Sequence, residues 1–590
     1  MASARRLLRE QRWTWILILK SSQVNAIVIT TLLAGTQANP CPPTGYTLPS
    51  IKRPSNSTVV KETLAKIKQN LVNLTSSDEL NSTGIAIGVK SVHEDSPLFE
   101  FYHTPAIAEA TSTKEITIDT VFRGGSITKL FTVLAALQDS QIKGSDPVTK
   151  YLPQLKEGTV KALESNSFHV VPWDTITVED LASHLSGIGG DIATDLANFA
   201  AYPWKLMGLP AIANETRPKC SGLEGTKACT AGDLISGLNK KPLVFRPHTT
   251  PIYSNLGISL LGLVVEAATN KTYEVILNET ILKPLGLTNT SVTGPVQDSW
   301  GFIPKGEPTW KGDLGVYTSA GGIYTNTRDM LNFGTSILSE KLSLDSKSWL
   351  KPKSFTTSSG YSIGAPWEIL SSTTLLPTGV PVHIYTKSGD LGLYSNLLLL
   401  IPDYDLTVSI LTGGPASTEF MFPTRVISGV ISALIPALEQ ANKEAAEAAF
   451  AGTYADPETN STVTLSIDDG TGLSLTGLKV RGVPVLPNIP NYSTSIKPGK
   501  TFNITARIYP TNIKEGDTWS WRAVYKNHDE EEVDDQLFFP QGGCQTWGLI
   551  DRNTYNYLAF DDYIVTIGED GASQSISPRP FGVTLQKVKS

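Results

Sequence analysis

Cysteine, histidine and charge are all thin in this chain, and each shortage removes a class of function. The 590 residues hold four cysteines, Cys41, Cys220, Cys229 and Cys544, with no Cys-x-x-Cys pair, so neither a zinc ribbon nor a thioredoxin-type motif is present. The seven histidines (His93, His103, His169, His184, His248, His383 and His528) show no paired ligand spacing, and no metal or other cofactor is expected. Charged residues make up 18% and the net charge is −7. No basic stripe or basic–aromatic interleaving occurs, so no nucleic-acid partner is expected. Internal repeats and low-complexity tracts are also missing. Hydrophobic residues reach 40%, enough to build a core and to exclude disorder as the default state. At about 100–200 residues per domain, the length allows two to four domains.

The N-terminus points to a route out of the cell. Arg5, Arg6, Arg9 and Arg12 precede two apolar patches, Trp13 to Leu19 and Ala26 to Leu33, and Thr36-Gln37-Ala38 supplies a small-residue cleavage site. Residues 1–38 therefore read as a secretory signal peptide. An uncleaved signal anchor is the alternative, weakened by Lys20, Ser21-Ser22-Gln23 and Asn25, which interrupt the apolar run. No other stretch reads as long and apolar enough to span a membrane, so no stable span is expected after cleavage. Asn-x-Ser/Thr acceptors lie at Asn56, Asn73, Asn81, Asn214, Asn270, Asn278, Asn289, Asn460, Asn491 and Asn503, which fits a secreted glycoprotein. Four cysteines allow three pairings. Cys220 and Cys229 flank a short Gly-containing loop and are the first choice for a local disulfide, which leaves Cys41 with Cys544.

Patterning divides the rest. Alternation over residues 84–89 predicts a strand, and Phe99 to His103 its hairpin partner. A helix is expected from Ser126 to about Gln138, with Leu130, Leu134 and Leu137 on its buried face. Residues 140–350 read as mainly helical with long loops. Residues 397–401 and 406–411, joined by Pro402-Asp403-Tyr404-Asp405, predict a hairpin of buried strands. A helix follows from about Arg425 to Phe450. After Gly452, short alternating runs separated by Gly, Pro, Asn and Asp predict an antiparallel sheet or barrel. The expected organisation is thus a mixed helix-and-strand region followed by a β-rich domain over 450–590.

Three short motifs could carry chemistry. Ser126-Ile127-Thr128-Lys129 opens a helix, so Lys129 lies one turn from Ser126 on the same face. Serine is a weak nucleophile until a neighbour takes its proton, and a helix N-terminus favours developing negative charge. A plain N-cap would satisfy the same serine, and Ser348-Trp349-Leu350-Lys351 repeats the spacing in what reads as a polar loop. Tyr253-Ser254-Asn255 precedes another helix, but Tyr-x-Asn recurs at Tyr324-Thr325-Asn326 and Tyr394-Ser395-Asn396. Lys387-Ser388-Gly389, followed by Asp390, places a fixed cation beside a glycine that lets a strand approach a ligand.

In this order the three motifs resemble Ser-x-x-Lys, Tyr-x-Asn and Lys-Thr-Gly of the class C β-lactamase and D-alanyl-D-alanine carboxypeptidase family. Leu181-Ala182-Ser183-His184-Leu185-Ser186-Gly187-Ile188, Leu282-Lys283-Pro284-Leu285-Gly286-Leu287 and Ser319-Ala320-Gly321-Gly322-Ile323-Tyr324 are similar to further segments of that family. The resemblance covers about residues 55–435 and implies a serine hydrolase domain there, with an α+β fold of β-lactamase/transpeptidase type, an antiparallel sheet flanked by helices plus an all-helical subdomain. Phe450-Ala451-Gly452-Thr453-Tyr454 is similar to the start of the lipocalin-like barrel that follows many such hydrolases. Ser126 would then be the acylated nucleophile, with Lys129 and Tyr253 sharing proton transfer. Asn255 would hold the substrate and Lys129, and Lys387 would orient Tyr253 or a substrate carboxylate. The N–H groups of Ser126 and Asp390 would form the oxyanion hole. Ser388 stands where the family has threonine and Asp390 where it usually has a small residue. A negative side chain there would disfavour carboxylate-bearing substrates such as penicillins, so an ester, amide or peptide acyl substrate is expected, with hydrolysis or acyl transfer as the reaction. The rivals are a catalytically inactive binding protein of the same fold and an α/β-hydrolase using Gly360-Tyr361-Ser362-Ile363-Gly364. The latter lacks the buried strand and following helix that a nucleophile elbow needs.

Overall fold

The computed structural model describes residues 42–156, 170–198, 204–210, 212–213, 220, 227–295, 297–339, 341–342, 346–492, 501–529 and 546–588. Residues 1–38, expected above to be a signal peptide, and Cys41, Cys544 and Asn214 lie outside the described residues.

The sheet of the first part follows from alternation. Its strands are β1 (Gly84–Ser91), β2 (Phe99–His103), β3 (Ser354–Phe355), β4 (Tyr361–Ile363), β5 (Glu368–Ser372), β6 (Val382–Leu391), β7 (Tyr394–Ile401) and β8 (Leu406–Gly413). They lie in the order β2-β1-β8-β7-β6-β5-β4-β3, every neighbour antiparallel. Helices cover both faces. On one side Leu397, Leu399 and Ile401 of β7 join a core with α1 (Thr58–Thr75) and the long C-terminal helix Phe422–Phe450. On the other side Leu398 and Leu400 join a core that includes α2 (Thr128–Gln138), α3 (Asn255–Thr269) and α4 (Thr327–Leu338). Successive strand residues point to opposite faces, so an unbroken apolar run such as Leu397 to Ile401 belongs to a strand buried on both. A leucine-to-alanine change in that run would cost about 2–5 kcal/mol.

Two expectations need correction. Leu137 is 46% exposed, because α2 is sunk among helices over Thr128 to Ala136 and only its last turn emerges. The helix Phe422–Phe450, here α5, is long and apolar enough by composition to cross a bilayer. Its residues Ile427, Val430, Ile431, Leu434, Ile435 and Leu438 are buried in the core shared with α1 and the sheet, so it passes the length test as a core helix.

The disulfide Cys220–Cys229 forms as the spacing suggested, and both cysteines pack into the helical core. The C-terminal part closes into a barrel. Gly452–Asp456, Ser461–Ser466, Leu473–Val480, Ile504–Glu515, Thr518–Asn527, Asp562–Ile567, Ser573–Pro578 and Leu585–Lys587 each pair antiparallel with the next. The last returns to the first through Gln586 opposite Ala455. This is an eight-stranded up-and-down barrel, which leaves no open edge. Side chains fill it, among them Trp521, Tyr563, Val565 and Leu475, with Phe450 at the end of α5 packed on Trp521 at 5.1 Å.

Candidate active site

Ser126 sits on a single 3-10 turn, Gly125–Ile127, that runs directly into α2. The turn is crowded. Gly125 has φ +55°, and a Cβ there would stand 2.8 Å from the backbone nitrogen of Asp390. A Cβ on Gly389 would stand 2.1 Å from the carbonyl oxygen of Gly124. The backbone of β6 therefore touches the nucleophile turn, an approach open only to glycine at these two positions. Asn396 on β7 holds the two together. Its Nδ2 donates to the carbonyls of Arg123 (2.9 Å) and Gly389 (3.2 Å), and its Oδ1 accepts from the N–H of Thr412.

Half-buried Ser126 is met from two sides. Lys129 Nζ donates to its Oγ at 2.9 Å and to the carbonyl of Ala320 at 2.7 Å. The hydroxyl of Tyr253 donates to the same Oγ at 2.7 Å. Lys129 is fully buried, and burial, with Lys387 as a second cation nearby, pulls its ammonium down to about 8. Burial alone would raise the Tyr253 phenol. The charges of Lys387 and Lys129, 5.2 and 4.9 Å from its ring, outweigh that and hold it below the ordinary tyrosine range. Tyr253 is nevertheless 45% exposed, so its ring fronts the solvent side of the site while its hydroxyl faces the cations.

Lys387 is held by a residue that no motif announced. Its Nζ lies 2.6 Å from Glu368 Oε1 at the start of β5. Glu368 also accepts from the N–H (3.0 Å) and Oγ (3.1 Å) of Ser388. Burial works against both charges, yet the pair prevails: the Glu368 carboxyl is lowered and the Lys387 ammonium raised. Strand geometry then aims the proposed oxyanion donor. The Ser388 N–H points toward β5, so the Asp390 N–H, two residues on, points the same way. There β5 has ended, since its last pair in that direction is Glu368 with Thr386.

The remaining predicted residues distribute differently. Among the described hydrogen bonds Asn255 is not paired with Lys129; its Nδ2 donates to Asp191 at 3.1 Å. It is the first residue of α3, capped by Ser254, and Asp191 engages its amide instead. The Asp390 side chain does not share the Ser126 face. Lys387 and Gly389 face the nucleophile and Ser388 and Asp390 face away, with Asp390 accepting from Ser395 at 2.5 Å. His184 is buried with φ +60°, and its Nδ1 accepts the N–H of Ser254 at 3.3 Å. Burial next to Lys129 and Lys387 pulls its imidazole down to about 3, so it is neutral and orients the Tyr253 loop. Of the other Tyr-x-Asn copies, Asn326 caps α4 through the N–H of Asp329 and Asn396 is the clamp just described. Ser348 lies on a short helix whose Trp349 is buried, in place of the polar loop expected there. Ser362 lies in the middle of the three-residue strand β4 with no helix after it. Among the described residues no cluster of His, Cys, Asp and Glu could hold a metal ion.

Known proteins match along nearly the whole chain. A family profile described as Beta-lactamase covers residues 90–426, and one described as a beta-lactamase-like C-terminal domain covers 442–589. A "Beta-lactamase-like protein" of Arthroderma benhamiae is 28% identical over 93% of this chain and 95% of its own length. A "Probable hydrolase M10" of a Phoma species is 30% identical over 82% of this chain and 80% of its own. The crystal structure of a beta-lactamase/D-alanine carboxypeptidase from Yersinia pestis complexed with citrate aligns at 19% identity and a TM-score of 0.48, covering 64% of this chain and 99% of that one.

Proposed function

Because the chain belongs to the beta-lactamase family, a family of hydrolases, we propose that it is a serine hydrolase or acyltransferase working through an acyl-enzyme on Ser126. The observation that carries the reading is the convergence of Lys129 Nζ and the Tyr253 hydroxyl on Ser126 Oγ, at 2.9 and 2.7 Å. An isolated helix cap would need neither.

The steps follow from this geometry. Ser126 Oγ attacks the carbonyl carbon of an ester, amide or peptide as its proton passes to Lys129 or to ionised Tyr253. The carbonyl oxygen gains charge between the N–H groups of Ser126 and Asp390; one such donor is worth about 3–4 kcal/mol in the transition state. The tetrahedral adduct collapses, the bond to the leaving group breaks, and the leaving group takes a proton from the Tyr253 hydroxyl, which Lys129 reprotonates where it was the group that accepted the serine proton, with Lys387 beside the phenol. Water, or an acceptor alcohol or amine, then attacks the acyl-enzyme and Ser126 recovers its proton.

The test is peptide mass spectrometry after treatment with a fluorophosphonate, run beside Ser126→Ala. One adduct on Ser126, lost in the variant, supports the reading. A folded, unlabelled protein would move the chain to the non-catalytic binding reading, and an adduct on Ser362 would name the wrong serine.

The chain is further read as a secreted glycoprotein, with residues 1–38 as the signal. Asn56, Asn73, Asn81, Asn270, Asn278, Asn460 and Asn503 are exposed and Asn289 is half-buried, which favours their use. Peptide N-glycosidase treatment of protein from the culture medium should lower its apparent mass; protein retained in cells at unchanged mass would overturn this.

A further inference from the structure

The free edge of β6 leads to a second compartment. Beyond the Glu368–Thr386 pair, no strand residue among those described is registered against Lys387 to Leu391 on the β5 side, where the Glu368 side chain reaches Lys387 and Ser388. Ser126 lies on one face of this edge. On the other face a cavity of about 650 Å³ begins at Ser388 and Asp390 and runs between the sheet and the first turns of α5. Its charge is one-sided. Glu368, Asp390 and Glu419 line it, and no lysine, arginine or histidine does. Glu368 is neutralised by Lys387. Asp390 has only the Ser395 hydroxyl, and the partner of Glu419, Arg425 at 3.5 Å, is itself outside the lining. Leu370, Leu375, Ile384, Leu399 and Ile427 supply apolar wall, interspersed with uncharged hydroxyls such as Ser372, Thr424 and Ser428, and Phe420 and Met421 stand exposed at the rim.

We propose that this cavity binds an uncharged, apolar arm of the substrate whose carbonyl is attacked by Ser126, and that its carboxylates exclude substrates bearing an anion on that arm. The inference rests on the acyl-enzyme reading and adds the substrate class. A ligand crossing the free edge can place its carbonyl at the N–H of Asp390 and its arm beyond the Asp390 side chain. Such an arm loses water against leucine and isoleucine walls, which favours methylene and aromatic groups. An anionic arm would give up its hydration and meet Asp390 and Glu419 with no cation in the lining. The arm belongs to the acyl or to the alcohol side of the ester, and the same chemistry serves both.

The experiment uses two neutral ester series, 4-nitrophenyl alkanoates from acetate to octanoate and alkyl acetates of rising chain length. The third probe is the 4-nitrophenyl monoester of octanedioic acid, which carries a terminal carboxylate. In one series kcat/KM should rise by about 3- to 4-fold per buried methylene, and the terminal carboxylate should reverse most of that gain. In Thr424→Trp, which fills the cavity from α5, the octanoate-to-acetate ratio, or its alkyl acetate counterpart, should fall toward one. In Asp390→Ala, which keeps the backbone N–H, the ratio of carboxylated to neutral octyl substrate should rise by about tenfold or more. A flat chain-length profile in both series, or ratios unmoved in both variants while short esters turn over, overturns the subsite. Failure of every ester in the wild type would instead overturn the acyl-enzyme reading beneath it.

Discussion

Replacing Gly389 by alanine adds one methyl group to the strand that borders the nucleophile. In the native packing that methyl carbon would lie 2.1 Å from the carbonyl oxygen of Gly124 and 3.0 Å from the nitrogen of Ile127. A close carbon–oxygen contact is about 3.3 Å, so β6 and the Ser126 turn must part by more than about 1 Å. Both neighbours are backbone, so no side chain can swing aside to absorb the change. The separation falls across the oxyanion hole, whose two N–H groups belong to Ser126 on one side and Asp390 on the other. A shift of that size costs about 10²-fold through misplacement, and losing one donor costs about 10²–10³-fold. Gly389→Ala should therefore lower kcat/KM on a short 4-nitrophenyl ester by at least about 10²-fold and slow fluorophosphonate labelling of Ser126 in step. Circular dichroism melts check that the fold persists, since overpacking of this kind costs about 1–3 kcal/mol. A folded Gly389→Ala protein as fast as the wild type would refute the claim that this contact builds the site.

The pH dependence follows from Lys129. Below its value of about 8 the ammonium is protonated and cannot accept the Ser126 proton, so kcat/KM should rise with pH along a limb centred near 8; the apparent value belongs to the Lys129–Tyr253 pair. An optimum near pH 4 would exclude this relay. Asn396→Ala strips partners from two carbonyls and one N–H in a buried setting; at about 1–3 kcal/mol per orphaned group the melting temperature and kcat should both fall, and a neutral result would mean the clamp holds nothing. Ser362→Ala should retain wild-type turnover, because that serine sits on a small strand with no helix behind it; loss of activity there would sink the Ser126 assignment.

What could be read from the sequence was what is local. Alternation marked β1, apolar runs on either side of a Pro-Asp turn marked β7 and β8, and the recurrence of short alternating runs after Gly452 marked a barrel, because a strand shows its pattern within about five residues. Ser126 and Lys129 could be read because one helical turn relates them. Glu368 could not. It lies 19 residues before Lys387 across a register that only the sheet fixes, Glu368 opposite Thr386, and no spacing rule joins them. Asp390 was legible as an unusual charge but was placed on the wrong face, since the face of a strand residue depends on knowing which neighbour points inward. Lys387, 5.2 Å from the Tyr253 ring, marks the nucleophile face, and Asp390, three residues on, falls on the other. The partner of Asn255 was missed for a related reason. Asp191 is 64 residues away in sequence, and no spacing rule joins it to Asn255. The three Tyr-x-Asn copies show the limit of a triplet as evidence: one borders the nucleophile, one caps a helix, and one clamps two strands, with nothing in the three residues to tell them apart.

The same distant glutamate contributes to the proton affinity of the site, which burial lowers at Lys129. Lys129 faces Tyr253, Lys387 and Glu368, with the neutral His184 beside Tyr253 and Tyr361 near Glu368. The Glu368 carboxylate acts on this group, and it helps both lysines keep their protons. Glu368→Gln removes that charge but retains an oxygen for the N–H of Ser388. Whichever lysine then releases a proton first, the cluster binds its protons less tightly, because a negative charge has gone and none has replaced it. The base becomes free at lower pH, so the rising limb of kcat/KM for a neutral ester should move to the acid side of its wild-type position near 8. Removing one member of a buried ion pair also leaves Lys387 uncompensated, so the variant should melt lower, and that loss should ease as pH rises and the lysine sheds its charge. A purely structural role for Glu368 predicts lower stability with an unmoved limb, and a limb displaced toward alkaline pH would contradict the electrostatic argument outright.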